Sequence, residues 1–199
     1  MAVDIYLLKL RTSNWRSVEQ AILRGHYVSK PIEINEIPDL RENSILVIPG
    51  VGNINDLYEE INRYQPISEL RMELKRRQIK VLGICLGFQF LCQKSDEYER
   101  AECLDFFHCT VESIYEPSRP SVGWKKLLRM SKTQLISPLD TFLTGKSFYF
   151  THSFGVKYST AKISSSENYT YAADQSDDIV AAMITSDAVG FQFHPEKSG

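Results

Sequence analysis

The chain begins with a short apolar run at residues 3–8 (VDIYLL), and similar runs return at 44–48 (SILVI) and 80–84 (KVLGI). None of them alternates with polar residues. A short continuous apolar run predicts a strand buried on both faces, as in a parallel sheet covered by helices. Between these runs the period changes. Residues 17–23 (SVEQAIL), 56–64 and 67–77 predict helices, and in the last of them Ile67, Leu70 and Leu74 recur at helical spacing. Strand and helix in alternation predict parallel strands with helices packed on both faces. The second half reads differently. Segments 106–115, 147–150, 169–172, 179–185 and 189–193 are strand-like, with few helical patterns between them. They predict hairpins and an antiparallel extension of the sheet. Residues 164–168 (SSSEN) read as a loop, and no repeat or linker interrupts the chain, so one domain over residues 1–199 is expected.

Composition narrows the function classes. Hydrophobic residues make up 43% of the 199 positions and charged residues 24%, a globular profile. The net charge of −2 and pI near 6.1 give no basic footprint for nucleic acid. The local run Lys75-Arg76-Arg77 reads as a solvated face that complements a helix C-terminus. No stretch approaches the roughly 20 apolar residues of a membrane helix. The N-terminus carries Asp4 early and has no basic lead into a long apolar region, so no signal peptide is read there. No membrane association and a cytoplasmic location are therefore expected. Cys85, Cys92, Cys103 and Cys109 match neither a CxxC metal pattern nor a disulfide framework, which fits reduced thiols. No metal, cofactor or nucleotide-binding motif is read in the chain.

The chemistry concentrates in two segments. The apolar run before Cys85 ends in Gly83-Ile84-Cys85-Leu86-Gly87, and Phe88-Gln89-Phe90-Leu91 start a helix. G-x-C-x-G between strand and helix is the thiol form of a nucleophile elbow. The turn is sharp and crowded, so the positions two residues to either side must lack a Cβ. A helix N-terminus beneath the thiol is expected to lower its pKa and to offer N–H groups to an anion. By itself the segment also fits a buried, inert cysteine in a tight turn. The second segment is 190–197 (GFQFHPEK). Phe191 and Phe193 alternate as in a strand, His194 ends it, Pro195 stops it, and Glu196 can turn back onto the imidazole. Alone, this fits a strand-end histidine beside a solvated carboxylate. Together the two segments supply a nucleophile, a base and an orienter. Among the other histidines, His26 falls in a loop, His108 has no carboxylate pattern nearby, and His152 suits a pocket wall better than a base.

With both segments in view, the chain resembles the class I, triad-type glutamine amidotransferases, whose two signatures GICLGFQ and FHPEK match in the expected order. Its pattern is similar to that of the glutaminase subunits of imidazole glycerol phosphate synthases. Residues 13–18 (SNWRSV) resemble their G-N-L-R-S-V turn and 49–53 (PGVGN) their oxyanion loop; Gly123-Trp124 resembles their G-W-N and 148–154 (FYFTHSF) their Y-F-x-H-S-Y strand. The resemblance implies a three-layer, flavodoxin-like α/β fold with a mostly parallel central sheet and an antiparallel extension. It implies that Cys85, His194 and Glu196 form a catalytic triad that hydrolyses L-glutamine to glutamate and ammonia. It assigns the oxyanion hole to Leu86 and the Val51–Gly52 loop, and glutamine binding to Gln89, Glu97, Thr151, His152 and Ser153, with Glu97 meeting the α-ammonium. It also implies a heterodimer partner, a (β/α)₈-barrel synthase or cyclase subunit that uses the ammonia in histidine biosynthesis.

Departures from the pattern leave alternatives open. Lys9-Leu10-Arg11 replaces D-Y-G, Ser13 replaces the first turn glycine, Lys125 replaces the asparagine of G-W-N, and 103–109 (CLDFFHC) replaces a glycine-rich stretch. The same chemistry in a paralogous sugar-amidating synthase of surface-polysaccharide synthesis, a stand-alone γ-glutamyl cysteine hydrolase, and a non-catalytic module on the same fold are the competing readings. The family's chain continues into a C-terminal helix, so the end at Lys197-Ser198-Gly199 reads as truncated.

Overall fold

The computed structural model describes residues 3–97, 101–114, 120–129, 138–160, 169–173 and 178–199. In chain order its elements are β1 (Ile5–Leu8), α1 (Trp15–Arg24), β2 (Ser29–Ile32), β3 (Ile45–Ile48), α2 (Ile54–Asn62), α3 (Ile67–Arg76), β4 (Lys80–Ile84), α4 (Leu86–Leu91), β5 (Cys92–Ser95), β6 (Ala101–Glu102) and β7 (Phe107–Ser113). There follow β8 (Ser121–Arg129), α5 (Pro138–Leu143), β9 (Ser147–His152), β10 (Phe154–Gly155), β11 (Tyr169–Ala173), β12 (Val180–Ile184) and β13 (Ala188–Phe191). The predicted loop at 164–168, and Tyr115 at the end of one predicted strand, lie outside the described residues.

The main sheet runs β2-β1-β3-β4-β13-β12-β11-β8-β9. Its first five strands are parallel and the remaining pairs antiparallel. This is the α/β architecture expected, a mostly parallel sheet with an antiparallel extension. The apolar runs predicted as buried strands are buried: Leu7, Leu8, Leu46, Val47, Ile48, Val81 and Ile84 all lie in the core. One face holds Val18 and Ile22 of α1 against Leu7, Val47 and Ile84. The other holds α2, α3 and α4, with Leu57, Ile61, Leu70 and Phe88 packed over Leu8, Leu46 and Val81. A smaller sheet, β10-β7-β5-β6, lies beside the C-terminal end of α4. Among the described residues no helix is long and apolar enough to cross a membrane.

Two strands of the main sheet had no sequence signal. β2 reads Ser-Lys-Pro-Ile, and Pro31 cannot donate to a ladder; the strand is at the sheet edge, where proline is tolerated. β8 carries Gly123, Lys125 and Lys126, which break an apolar pattern, and it is held instead by pairing with β9 over Ser121–Lys126 and with β11 over its last three residues.

What positions the site is the meeting of β4 and β13. They are parallel neighbours with Gly83 opposite Gly190 and Ile84 opposite Phe191. The chain leaves β4 at Cys85 and leaves β13 toward His194, so the two predicted segments end side by side at the carboxyl edge of the sheet. That edge is where open α/β sheets bind ligands.

Candidate active site

Cys85 sits between β4 and α4 with φ 49° and ψ −102°. A side chain at this backbone conformation is strained by about 1–3 kcal/mol, a cost that persists only where the surroundings force it. They do so here. A Cβ on Gly83 would lie 2.5 Å from the Gly87 backbone, and one on Gly87 would lie 2.1 Å from the Ile48 carbonyl oxygen. The elbow glycines are thus required by close approach, as their spacing predicted. Cys85 N–H donates to Phe191 O at 2.6 Å, which ties the elbow to β13.

The sulfur is enclosed. It accepts from the Leu86 backbone N–H and from Gln192 Nε2 at 3.5 Å, and the thiol donates to Thr151 O at 3.9 Å. Burial pushes the Cys85 pKa up to about 12; the Leu86 and Gln192 donors oppose this, while the Glu196 charge adds to it. The expectation of a depressed pKa is therefore corrected. The helix N-terminus does favour the thiolate, but loss of hydration outweighs it, and the free chain holds Cys85 as a thiol at neutral pH.

His194 is fully buried. Its backbone N–H donates to Tyr149 O, and its own carbonyl accepts from Ser198 Oγ at 2.6 Å. Nδ1 lies 2.8 Å from Glu196 Oε1. An ionised Glu196 takes the proton-bearing nitrogen, so the assigned tautomer has hydrogen on Nδ1 and a lone pair on Nε2. Nε2 is buried and makes no hydrogen bond among the described residues. Glu196 Oε1 also accepts from Asn14 Nδ2 at 2.6 Å. Burial raises the Glu196 pKa, but the hydrogen bonds from His194 and Asn14 and the electrostatic attraction of the His194 ring outweigh it, so the carboxyl stays below its ordinary value.

In front of Cys85 lies a cavity of about 400 Å³, in the range that holds a small metabolite. Every other residue assigned by resemblance to the oxyanion hole or to glutamine binding lines it: Val51, Gly52, Leu86, Gln89, Glu97, Thr151, His152 and Ser153, joined by Gly50, Pro120 and Phe154. His194 and Glu196 are not among its lining residues, but the Glu196 charge reaches Cys85. Gly50 is pressed against the elbow, where a Cβ would meet Ile84 O at 1.6 Å, and Gly52 takes φ 126°. Gln89 is buried and donates to Phe154 O at 2.7 Å and Gln192 Oε1 at 3.3 Å. The carboxylate of Glu97 accepts from Ile54 N–H at 3.3 Å, at the start of α2. Burial raises its pKa, against that hydrogen bond. His152 Nδ1 is 2.9 Å from Phe154 O.

The other histidines stay outside. His26 is exposed. His108 does have a carboxylate nearby, contrary to the sequence reading: its Nδ1 is 3.3 Å from Asp105, on an exposed surface. Cys92, Cys103 and Cys109 are buried core thiols. Two participants escaped the sequence reading. The alternation that faces Phe191 and Phe193 into the core puts Gln192 on the same side as His194, so its signal was present. Asn14 lies within the matched N-terminal turn, but nothing local tells that it reaches across 182 residues to Glu196.

A model of the class-I glutamine amidotransferase family matches residues 11–199. The chain is 32% identical over 204 residues to the imidazole glycerol phosphate synthase subunit HisH 2 of Vibrio vulnificus, covering 98% of this chain and 88% of that one. It is 30% identical to the HisH subunit of Pyrococcus furiosus, covering 98% and 91%. Among solved structures it is similar in fold to PurLQS of Thermotoga maritima (TM-score 0.65, 17% identity, covering 98% and 89%) and to the glutaminase domain of Trypanosoma brucei CTPS bound to acivicin (TM-score 0.64, 12% identity, covering 98% and 86%).

Proposed function

The chain belongs to the class-I glutamine amidotransferases, enzymes that hydrolyse glutamine, and from that premise we propose that it is the glutaminase subunit of an imidazole glycerol phosphate synthase. It would feed ammonia to a (β/α)₈-barrel cyclase in histidine biosynthesis. The observation that carries the catalytic part is the strained Cys85 elbow, which opens onto the cavity, with a buried His194–Glu196 pair whose carboxylate charge acts on the thiol. The pathway part rests on the full-length relatives named as HisH.

In the proposed mechanism L-glutamine lies in the cavity with its α-ammonium toward Glu97 and its side-chain amide over Cys85. The Cys85 proton passes to His194 Nε2, whose lone pair is unengaged, and the sulfur attacks the amide carbon. The carbonyl oxygen becomes an oxyanion, received by the N–H groups of Leu86 and of the Val51–Gly52 loop; one such donor is typically worth about a hundred- to a thousandfold in rate. His194 returns its proton to the amide nitrogen, the C–N bond breaks, and ammonia leaves a thioester on Cys85. Water, deprotonated by His194, attacks the thioester; the C–S bond breaks and glutamate and the thiol are released. Glu196 holds the imidazole and balances its charge, and Asn14 holds Glu196.

One observation favours a second acceptor pathway. Lys125 stands where the resembled subunits have asparagine, with its ammonium on Ser121 Oγ at 2.6 Å and over the Phe150 ring at 5.9 Å. A paralogous sugar-amidating synthase is therefore the alternative partner. The test is glutamate release from glutamine by wild type and Cys85→Ser, with and without each candidate synthase. Turnover stimulated by the cyclase and absent in the variant is expected. Stimulation only by the sugar-amidating synthase would change the pathway. Partner-independent cleavage of γ-glutamyl peptides would replace the reading with a stand-alone hydrolase.

A further inference from the structure

Gln192 is a fully buried side chain with a polar amide. Burying such a group is costly unless its hydrogen bonds are met. Here they are met at the reacting atom. Nε2 lies 3.5 Å from Cys85 Sγ, and Oε1 accepts from Gln89 Nε2 at 3.3 Å. Gln89 is anchored in turn on Phe154 O, at the cavity wall. The backbone leaves room for this arrangement: a Cβ on Gly155 would come within 3.2 Å of Gln192 Oε1. Gln192 is thus fixed from one end by a residue of the cavity and presents its amide hydrogen to the sulfur from the other.

The sulfur's second donor, the Leu86 N–H, has a competing duty. In the proposed mechanism it must turn to the substrate oxygen as negative charge develops there. His194 Nε2 donates nothing to the sulfur in this structure. Once Leu86 is engaged by substrate, one side-chain donor remains on the sulfur among the described residues.

We propose that Gln192 is a catalytic residue of the glutaminase: its side-chain amide holds the Cys85 sulfur as an anion up to the moment of attack, once the Leu86 N–H has been taken by the substrate carbonyl oxygen. The bond gains strength when the acceptor is ionised, since charge-assisted hydrogen bonds are about twice as strong as neutral ones. It therefore favours thiolate over thiol. The inference rests on the reading of Cys85 as nucleophile.

The test is the rate at which iodoacetamide alkylates Cys85 in the full chain, measured across pH by mass spectrometry of the Cys85 peptide; only the thiolate reacts. Gln192→Met keeps length and removes the donor. It is expected to lower alkylation at neutral pH by about tenfold and to move the pH profile upward, by loss of a charge-assisted bond. Gln192→Glu keeps the shape and adds a carboxylate, so it moves the profile further. An unchanged profile in the folded Met variant overturns the proposal, whatever Gln192→Glu does, because a carboxylate acts through its charge alone. Circular dichroism and thermal melting identify the folded variants. If neither variant folds, the Gln192 side-chain amide protons of wild type are followed by NMR through the Cys85 titration: a downfield shift as thiolate forms supports the proposal, and a fixed position overturns it. Glutaminase activity retained in Cys85→Ala would sink the nucleophile reading instead, and it leaves the alkylation comparison valid, so the two failures stay distinct.

Discussion

Glu97 meets two demands that pull against each other. Burial favours its neutral form, while the α-ammonium assigned to it requires the carboxylate. Its pKa is raised in the free chain, so protonation begins above the usual carboxylate range. The KM for glutamine should therefore climb as pH falls through that raised value, with kcat less affected. Glu97→Gln should raise KM at all pH values and flatten this climb; a climb that persists in the variant would assign the titration elsewhere. Glu196 carries the opposite sign. Its folded pKa lies below the ordinary value, so the stability it contributes is complete above about 4.5, the unperturbed value, and is lost as pH falls through the folded pKa. Asn14→Ala removes one of the bonds that lower it. The variant's acid limb of kcat should move to higher pH, with kcat about tenfold lower at neutrality, the usual scale for losing a bond to a charged group. Helix α1 should lose little, since the Asn14 side chain makes no capping bond to it. An unshifted acid limb would separate Asn14 from the proposed triad. The Cys85 elbow and the His194–Glu196 contact were legible in the sequence because each is written locally, in a strand–turn–helix pattern and in a histidine two residues from its carboxylate. Asn14 was not, because its role exists only once the first and last turns of the chain meet.

At the scale of elements, the site depends on how closely β4, α4 and β13 approach one another. Gly87 lies against the Ile48 carbonyl, and Gly190 lies under Phe88, where a Cβ would fall 2.1 Å from the ring and 2.9 Å from Phe107. Neither obstacle is the end of a flexible chain. Gly190→Ala should destabilise the fold by about 1–3 kcal/mol or more through overpacking, read as a lower urea midpoint. It should also displace α4 and with it Gln89. Gly25 offers the contrast: its φ is −75° and its nearest neighbour, Ile22 O, is 3.3 Å from a built Cβ. Gly25→Ala should change stability by no more than about 1 kcal/mol in either direction. Equal losses at both sites would sink the packing argument. The same geometry explains what could be read of the fold. Runs such as KVLGI announced themselves because a strand buried on both faces must be apolar throughout. β2 and β8 did not, because an edge strand with Pro31 and a strand carrying Lys125 and Lys126 owe their structure to pairing partners and not to their own pattern.

At the scale of the whole molecule, the separate parts of the site are assembled but not yet connected. The cavity is formed, Glu196 and His194 are paired, and yet among the described residues His194 Nε2 makes no hydrogen bond and the sulfur is held by Gln192, Leu86 and Thr151 instead. A thiol with a pKa near 12 that is not hydrogen-bonded to its proposed base is a poor nucleophile at neutral pH. Activation requires a small shift that brings the sulfur to Nε2 and frees the Leu86 N–H. Gly50 and Gly52 flank the loop best placed to provide it, because a glycine peptide can reorient without a Cβ penalty. The free chain should therefore turn over glutamine slowly, and binding of the synthase should raise kcat by at least a hundredfold, the scale of one oxyanion donor, with a smaller change in KM because Gln89 and Glu97 are already in place. Gly52→Ala tests the route. At φ 126° an alanine is strained, and its Cβ would press on Thr12 Oγ1 at 3.0 Å. If the loop must reorient, the variant should bind glutamine and the synthase normally but lose most of the stimulation. Full stimulation in a folded Gly52→Ala chain would show that the partner acts on the elbow itself, through Cys85 and its neighbours on β13.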